Sequence, residues 1–194
     1  MKTIKRRVLV VVFMLVTLFN YANNEKDFNN TMNANKVKVV FENVKKGHRL
    51  TFNDQNGIQL HSETISKEGE LTKYFDLSSL NDGLYTIKLN KEFVIVSKHL
   101  EVKNGKVTFT ENSDKLIFKP VIRNEDNLLI ISKLDFDKKP LAVTLLYDGE
   151  IIFSETIKNE LITNRVYKLD KNLPGEYTVI VYCNNSNYSN KFKI

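Results

Sequence analysis

The stretch GIQLHSETISKEGELTKYFDLSSLNDGLYTI at 57–87 is answered 92 residues later by GEIIFSETIKNELITNRVYKLDKNLPGEYTV at 149–179. No gap is needed to align them. Gly57 falls on Gly149, Ser62-Glu63-Thr64-Ile65 on Ser154-Glu155-Thr156-Ile157, and Glu68 on Glu160. Leu77 then falls on Leu169, Gly83 on Gly175, and Tyr85-Thr86 on Tyr177-Thr178. That is ten identities in 31 positions, and further on HLEV at 99–102 lands on KFKI at 191–194. Self-similarity at a fixed spacing marks two copies of one structural unit.

Each copy reads as strands. Residues 36–42 and 128–134 are rich in Val, Ile and Leu, as half-buried or buried strands require. In the second copy LAVTLLY and EIIFSETI flank Asp148-Gly149, a two-residue hairpin signal because both positions tolerate positive φ. The first copy turns around Asn56-Gly57, and Asn104-Gly105 turns the chain from its last strand into a linking strand at 106–111. No segment sustains a 3.6-residue apolar period, so almost no helix is expected after the leader. The expected fold class is all-β: a first sandwich over 36–105 and a second over 106–194.

The pattern L-x-x-L-x-x-G-x-Y-T-I at 77–87, with L-P-G-E-Y-T-V at 173–179, resembles the tyrosine corner of immunoglobulin and fibronectin type III sandwiches. The resemblance gives Gly83 and Gly175 the sharp turn into a strand. It gives Tyr85 and Tyr177 a ring at the end of the core and a hydroxyl bonded to backbone a few residues upstream. These four residues are structural on that reading.

The hairpin, the DLSSLNDGLYTIKL stretch at 76–89 and the short last strand also resemble the C-terminal sorting domain of the Bacteroidetes type IX secretion system. The resemblance covers about 55 residues of each copy. It implies that the second copy is read by the outer-membrane export machinery, with residues 188–194 as the tail. Small exported Bacteroidetes proteins carrying an Ig-like sandwich match equally well.

The first residues speak for export. Lys2, Lys5, Arg6 and Arg7 precede an unbroken apolar run from Val8 to Val16 that continues through Leu18 and Phe19. A signal-peptide core is about 7–15 residues long, whereas a spanning helix needs about 20. A signal peptide is therefore expected at 1–22, cut near Ala22, with an uncleaved anchor as the alternative. An Asn-rich flexible leader is expected at 23–35. The chain carries 29 Lys and Arg against 23 Asp and Glu, and removing the segment with its four cations leaves 25 against 23. A mature charge near +2 gives no reason to expect nucleic acid. Cys183 is the one cysteine, so no internal disulfide can form; it is read as a buried small apolar group, a free thiol or a dimer link.

Chemistry is sparse. His48, His61 and His99 fall opposite Pro140, Phe153 and Lys191 in the repeat, and none has metal-ligand spacing. The acids Asp135-Phe136-Asp137 lie in a loop between strands, with Glu125-Asp126 earlier in the same copy, and Lys138-Lys139 immediately after Asp137 disfavours a cation. There is no phosphate loop, no nucleophile elbow and no Trp platform for sugars. Tyr182, Asn184, Asn185 and Tyr188 form the one polar-aromatic loop offered as a binding site. The expectation is no catalytic or metal residue, no cofactor and no enzyme. What remains is an exported binding, adhesion or assembly module in the periplasm, at the cell surface or outside the cell. Its partner would be a protein or glycan of the envelope, with membrane contact only through the signal peptide. The alternative is a sorting or anchoring role for the second copy.

Overall fold

The computed structural model describes residues 36–194. The signal peptide and leader lie outside the described residues, within which every regular element is a strand. In the first copy β1 (Lys36–Val44) pairs with β4 (Gly69–Asp76). Facing them is a five-stranded sheet built from β2 (Arg49–Asn53), β3 (Gln59–Thr64), β5 (Gly83–Asn90), β6 (Val94–Lys103) and β7 (Lys106–Phe118). Its spatial order is β3-β2-β5-β6-β7. In the second copy β8 (Val121–Glu125), β9 (Leu128–Leu134) and β12 (Ile162–Lys168) form the sheet β12-β9-β8. Opposite lies β11-β10-β13-β14, made of β10 (Leu141–Tyr147), β11 (Glu150–Ile157), β13 (Glu176–Cys183) and β14 (Ser186–Lys193). All pairings are antiparallel. The fold is an immunoglobulin-like β-sandwich, twice over.

Each sandwich closes on its own core, one centred on Val39, Leu50, Ile87 and Leu100, the other on Leu129, Ile131, Val143 and Val179. The repeated residues are those that hold the two sheets together. Ile65 and Ile157, Leu77 and Leu169, and Tyr85 and Tyr177 are buried in equivalent places. Glu63 on β3 pairs with Lys73 on β4 at 2.8 Å, and Glu155 faces Arg165 in the second copy, so the same ion pair crosses between sheets twice.

Both tyrosine corners are made. The Tyr85 hydroxyl donates to the Asn81 carbonyl and that of Tyr177 to the Leu173 carbonyl, each at 2.8 Å and each four residues upstream. Gly83 and Gly175 begin the turn into the tyrosine strand. Gly175 has a second reason to lack a side chain, because a Cβ there would lie 2.4 Å from the Tyr147 ring.

Two details depart from the sequence reading. The 92-residue offset holds from β3 onward but becomes 93 at β2 and β10, since Phe52 sits opposite Ile87 whereas Leu145 sits opposite Val179. The extra residue is in the first copy's turn, where the Asp54 carboxylate accepts the N–H groups of Asn56 and Ile58. His48 therefore corresponds to Leu141 rather than Pro140. The other departure is the boundary expected at 105/106, which falls inside a hairpin. Asn104-Gly105 folds β7 back along β6, so 106–118 is the fifth strand of the first copy's sheet. A two-residue turn joins neighbours in one sheet, and the seam between copies moves to Lys119-Pro120.

Candidate interaction face

The run Leu128–Leu134 reads LLIISKL, and β9 lies between β8 and β12. Its alternate residues Leu129, Ile131 and Lys133 are buried in the sandwich, which turns Leu128, Ile130, Ser132 and Leu134 to the outside. Register fixes their neighbours on that outer face. Ile162 lies beside Leu134 and Val166 beside Ile130, while Lys168 and Glu125 flank Leu128 on either side. Ile162 is 60% exposed and Val166 62%.

The first copy serves as an internal control for what this fold needs there. Where β1 sets Lys36 beside Asp76 and Lys38 beside Tyr74, β9 sets Leu128 beside Lys168 and Ile130 beside Val166. The positions of Glu42 and Glu70 are taken by Leu134 and Ile162. The first copy thus stands with a mostly polar outer face, Val40 and the exposed Tyr74 excepted, and the second copy carries a more apolar one. Scattered exposed apolar residues need no explanation, but a contiguous group does.

The loop after β9 meets the first copy. The Lys115 ammonium pairs with Asp137, and the Phe118 and Phe136 rings meet edge to face at 6.0 Å. Hydrogen bonding from Lys115 holds the Asp137 carboxyl below its ordinary value. A cleft of about 240 Å³ runs between residues 114–118 and 134–137. Behind it Lys133, its side chain 2% exposed, binds the Asp135 carboxylate at 2.5 Å. Lys133 occupies the position of the core residue Phe41, and its β12 neighbour Thr163 that of Leu71.

The loop singled out from sequence does not form one surface. Asn184 and Asn185 make the β13–β14 turn with positive φ. Tyr188 sits opposite Val181 and packs on the core, whereas Tyr182 sits opposite Asn187 on the outer face. The two rings therefore point to opposite sides of the sheet. Cys183 is buried, and desolvation raises its thiol pKa above the ordinary value. That matches the reading of a small apolar group.

The histidines are dispersed. His48 precedes β2 and its Nδ1 accepts the Lys45 N–H, while His61 on β3 meets Phe75 edge-on. His99 on β6 lies between Thr86 at 3.1 Å and Ser97 at 3.3 Å. Burial, then Lys115 and Lys88, lower its pKa. Ser97 is fully buried and is no accessible nucleophile. Among the described residues no group of three or more His, Cys, Asp or Glu side chains could hold a metal ion.

No family model matches the chain, and no curated protein does. Among solved structures it is similar to native alpha-2-macroglobulin from Escherichia coli spanning domains MG0-NIE-MG1. The identity is 12% and the TM-score 0.28, over 82% of this chain and 59% of that one. It is also similar to the human OSCAR ligand-binding domain, at 9% identity and a TM-score of 0.25, over 83% of this chain and 90% of that one. The chain spans about three fifths of the macroglobulin fragment.

Proposed function

We propose that this chain is a non-enzymatic exported module for binding or assembly, and that its second sandwich docks an envelope protein through the outer face of β8, β9 and β12. The observation carrying this reading is the contrast between copies: Ile162 and Val166 are exposed, with Ile130 and Leu134 half-buried beside them, where the first copy keeps Glu70, Tyr74, Lys38 and Glu42. Keeping apolar side chains on a solvated face adds nothing to folding, and such surfaces serve protein contacts. The face is flat and lacks Trp, which suits a protein partner better than a glycan.

The test is the double variant Ile162→Lys/Val166→Lys expressed in the native host. Both side chains are exposed, so the variant should melt like the parent. It should nevertheless be lost from the high-mass envelope fraction that holds the parent. A variant that co-fractionates with the parent's complex would overturn the reading.

The alternative, a type IX sorting or surface-anchoring role for the C-terminal copy, rests on resemblance. One observation favours it as well, namely that the apolar face is confined to that copy. It differs in having the second copy recognised at the outer membrane, and a shortened exported species would mark it as a removed sorting signal.

A further inference from the structure

The occupant of this face is legible in its charges, granted the docking reading above. Across the outer surface the last row runs Lys168, Leu128, Glu125, with a cation on one edge strand and an acid on the other. The next row runs Val166, Ile130, Arg123. A two-fold axis along β9 exchanges the edges and keeps the rows. Lys168 then meets Glu125 of the second chain, Arg123 meets Val166, and no like charges face each other. An axis across the strands would instead set Lys168 against the apolar end at Ile162. We infer that the face is closed by the same face of a second copy, packed about a two-fold axis along β9 with Lys168 of each chain against Glu125 of the other.

This geometry is sheet-on-sheet packing with nearly aligned strands, a packing common among β-sandwiches. It is isologous, so it closes at two chains and does not propagate into a fibre. The area sets the strength. Three strands about 4.8 Å apart and six residues long at about 3.3 Å each give a face of roughly 300 Å². Stable complexes bury about 800 Å² per partner, so a weak dimer follows, with a dissociation constant in the micromolar range or above. Arg123 and Glu125 share a loose contact of 3.7 Å on the open strand, which leaves Glu125 free to turn to the incoming lysine.

The experiment is sedimentation equilibrium on the chain from Asn23 onward, which keeps every strand of both sandwiches and omits the apolar segment before it. The parent should move from monomer towards twice its mass between about 10 µM and 1 mM, the range that this area implies. Ile162→Asp/Val166→Asp should stay monomeric throughout. Lys168→Glu and Glu125→Lys should each weaken the dimer about tenfold or more, the scale of a lost ion pair turned repulsive. The double reversal Lys168→Glu/Glu125→Lys should restore it. A parent monomeric at 1 mM overturns the inference, and so does a dimer that survives Ile162→Asp/Val166→Asp. A double reversal as weak as either single also overturns it. A photo-crosslinker at Val166 used in the host keeps the two readings apart. With a monomeric parent, a crosslink to a different envelope protein leaves the docking reading standing, and no crosslink removes both.

Discussion

Replacing Lys133 with Met tests whether the polar end of the second core is a linked pair. Met has nearly the same volume, so the change removes a charge without opening a large cavity. Asp135 would then be left 11% exposed and without its cation. Breaking a buried pair by removing one partner costs about 3–5 kcal/mol. Asp135 also accepts the Asp137 N–H at 3.1 Å and keeps some water, which puts the expected loss near the lower end, about 3 kcal/mol. Lys133→Met/Asp135→Asn removes both charges and should return to within about 1 kcal/mol of the parent, since buried pairs bring little net stability over neutral groups. Hydrogen exchange read by mass spectrometry is the assay, because it reports each core separately. Amides of β9 and β13 should lose protection by roughly a hundredfold in the single variant, about 1.4 kcal/mol per factor of ten, while β5 stays unchanged. Equal protection in parent and single variant would refute the reasoning, as would a double variant no better than the single.

Tyr177→Phe should cost the second sandwich about 0.5–1.5 kcal/mol, the worth of one hydrogen bond, without altering association, as urea unfolding beside sedimentation would reveal. The first sandwich should weaken on acidification: His99 has a folded pKa below its ordinary 6.5, so the unfolded chain binds the proton more readily. Its contribution is whole above about pH 6.5 and is lost as pH falls from there through the folded value, after which it levels off. His99→Gln should shrink the difference in melting between pH 7.5 and 5, and an undiminished difference would count against the assignment. The exported protein should begin near Asn23 and keep its second copy by intact mass; a species ending between about 103 and 127 would make the second copy a removable signal.

Local chemistry made much of the fold legible. The Asp148-Gly149 hairpin and the tyrosine corners depend on residues adjacent in sequence, and the strands lie where β-branched residues gather. Placing 106–118 in the second copy treats it as a link between sandwiches rather than as the partner of β6. The Asn104-Gly105 turn already implied pairing with the strand before it. The interaction face was harder to read. LLIISKL is apolar at consecutive positions, so its pattern does not distinguish a strand covered on both sides from one with a bare face. Only the pairing of Ile130 with Val166 and Leu134 with Ile162 separates the two. Lys133 gave no signal either, since a lysine in a strand normally faces water.

Lys119 and Pro120 are all that separates a strand of the first sheet from a strand of the second sandwich. Two residues reach at most about 7 Å, so the joint has no slack to take up. Tension applied at the carboxyl end passes through β8 directly into β7 at Phe118, the end bonded to Val94 and remote from the Asn104-Gly105 turn. Pulled along its length, β7 behaves as a lap joint, its ladder to β6 loaded together rather than rung by rung. Twist is transmitted too, because the Lys115–Asp137 and Phe118–Phe136 contacts brace the hinge from the side. The first sandwich is in effect a stiff handle, and the bearing in which it is held sets the direction that the β9 surface faces.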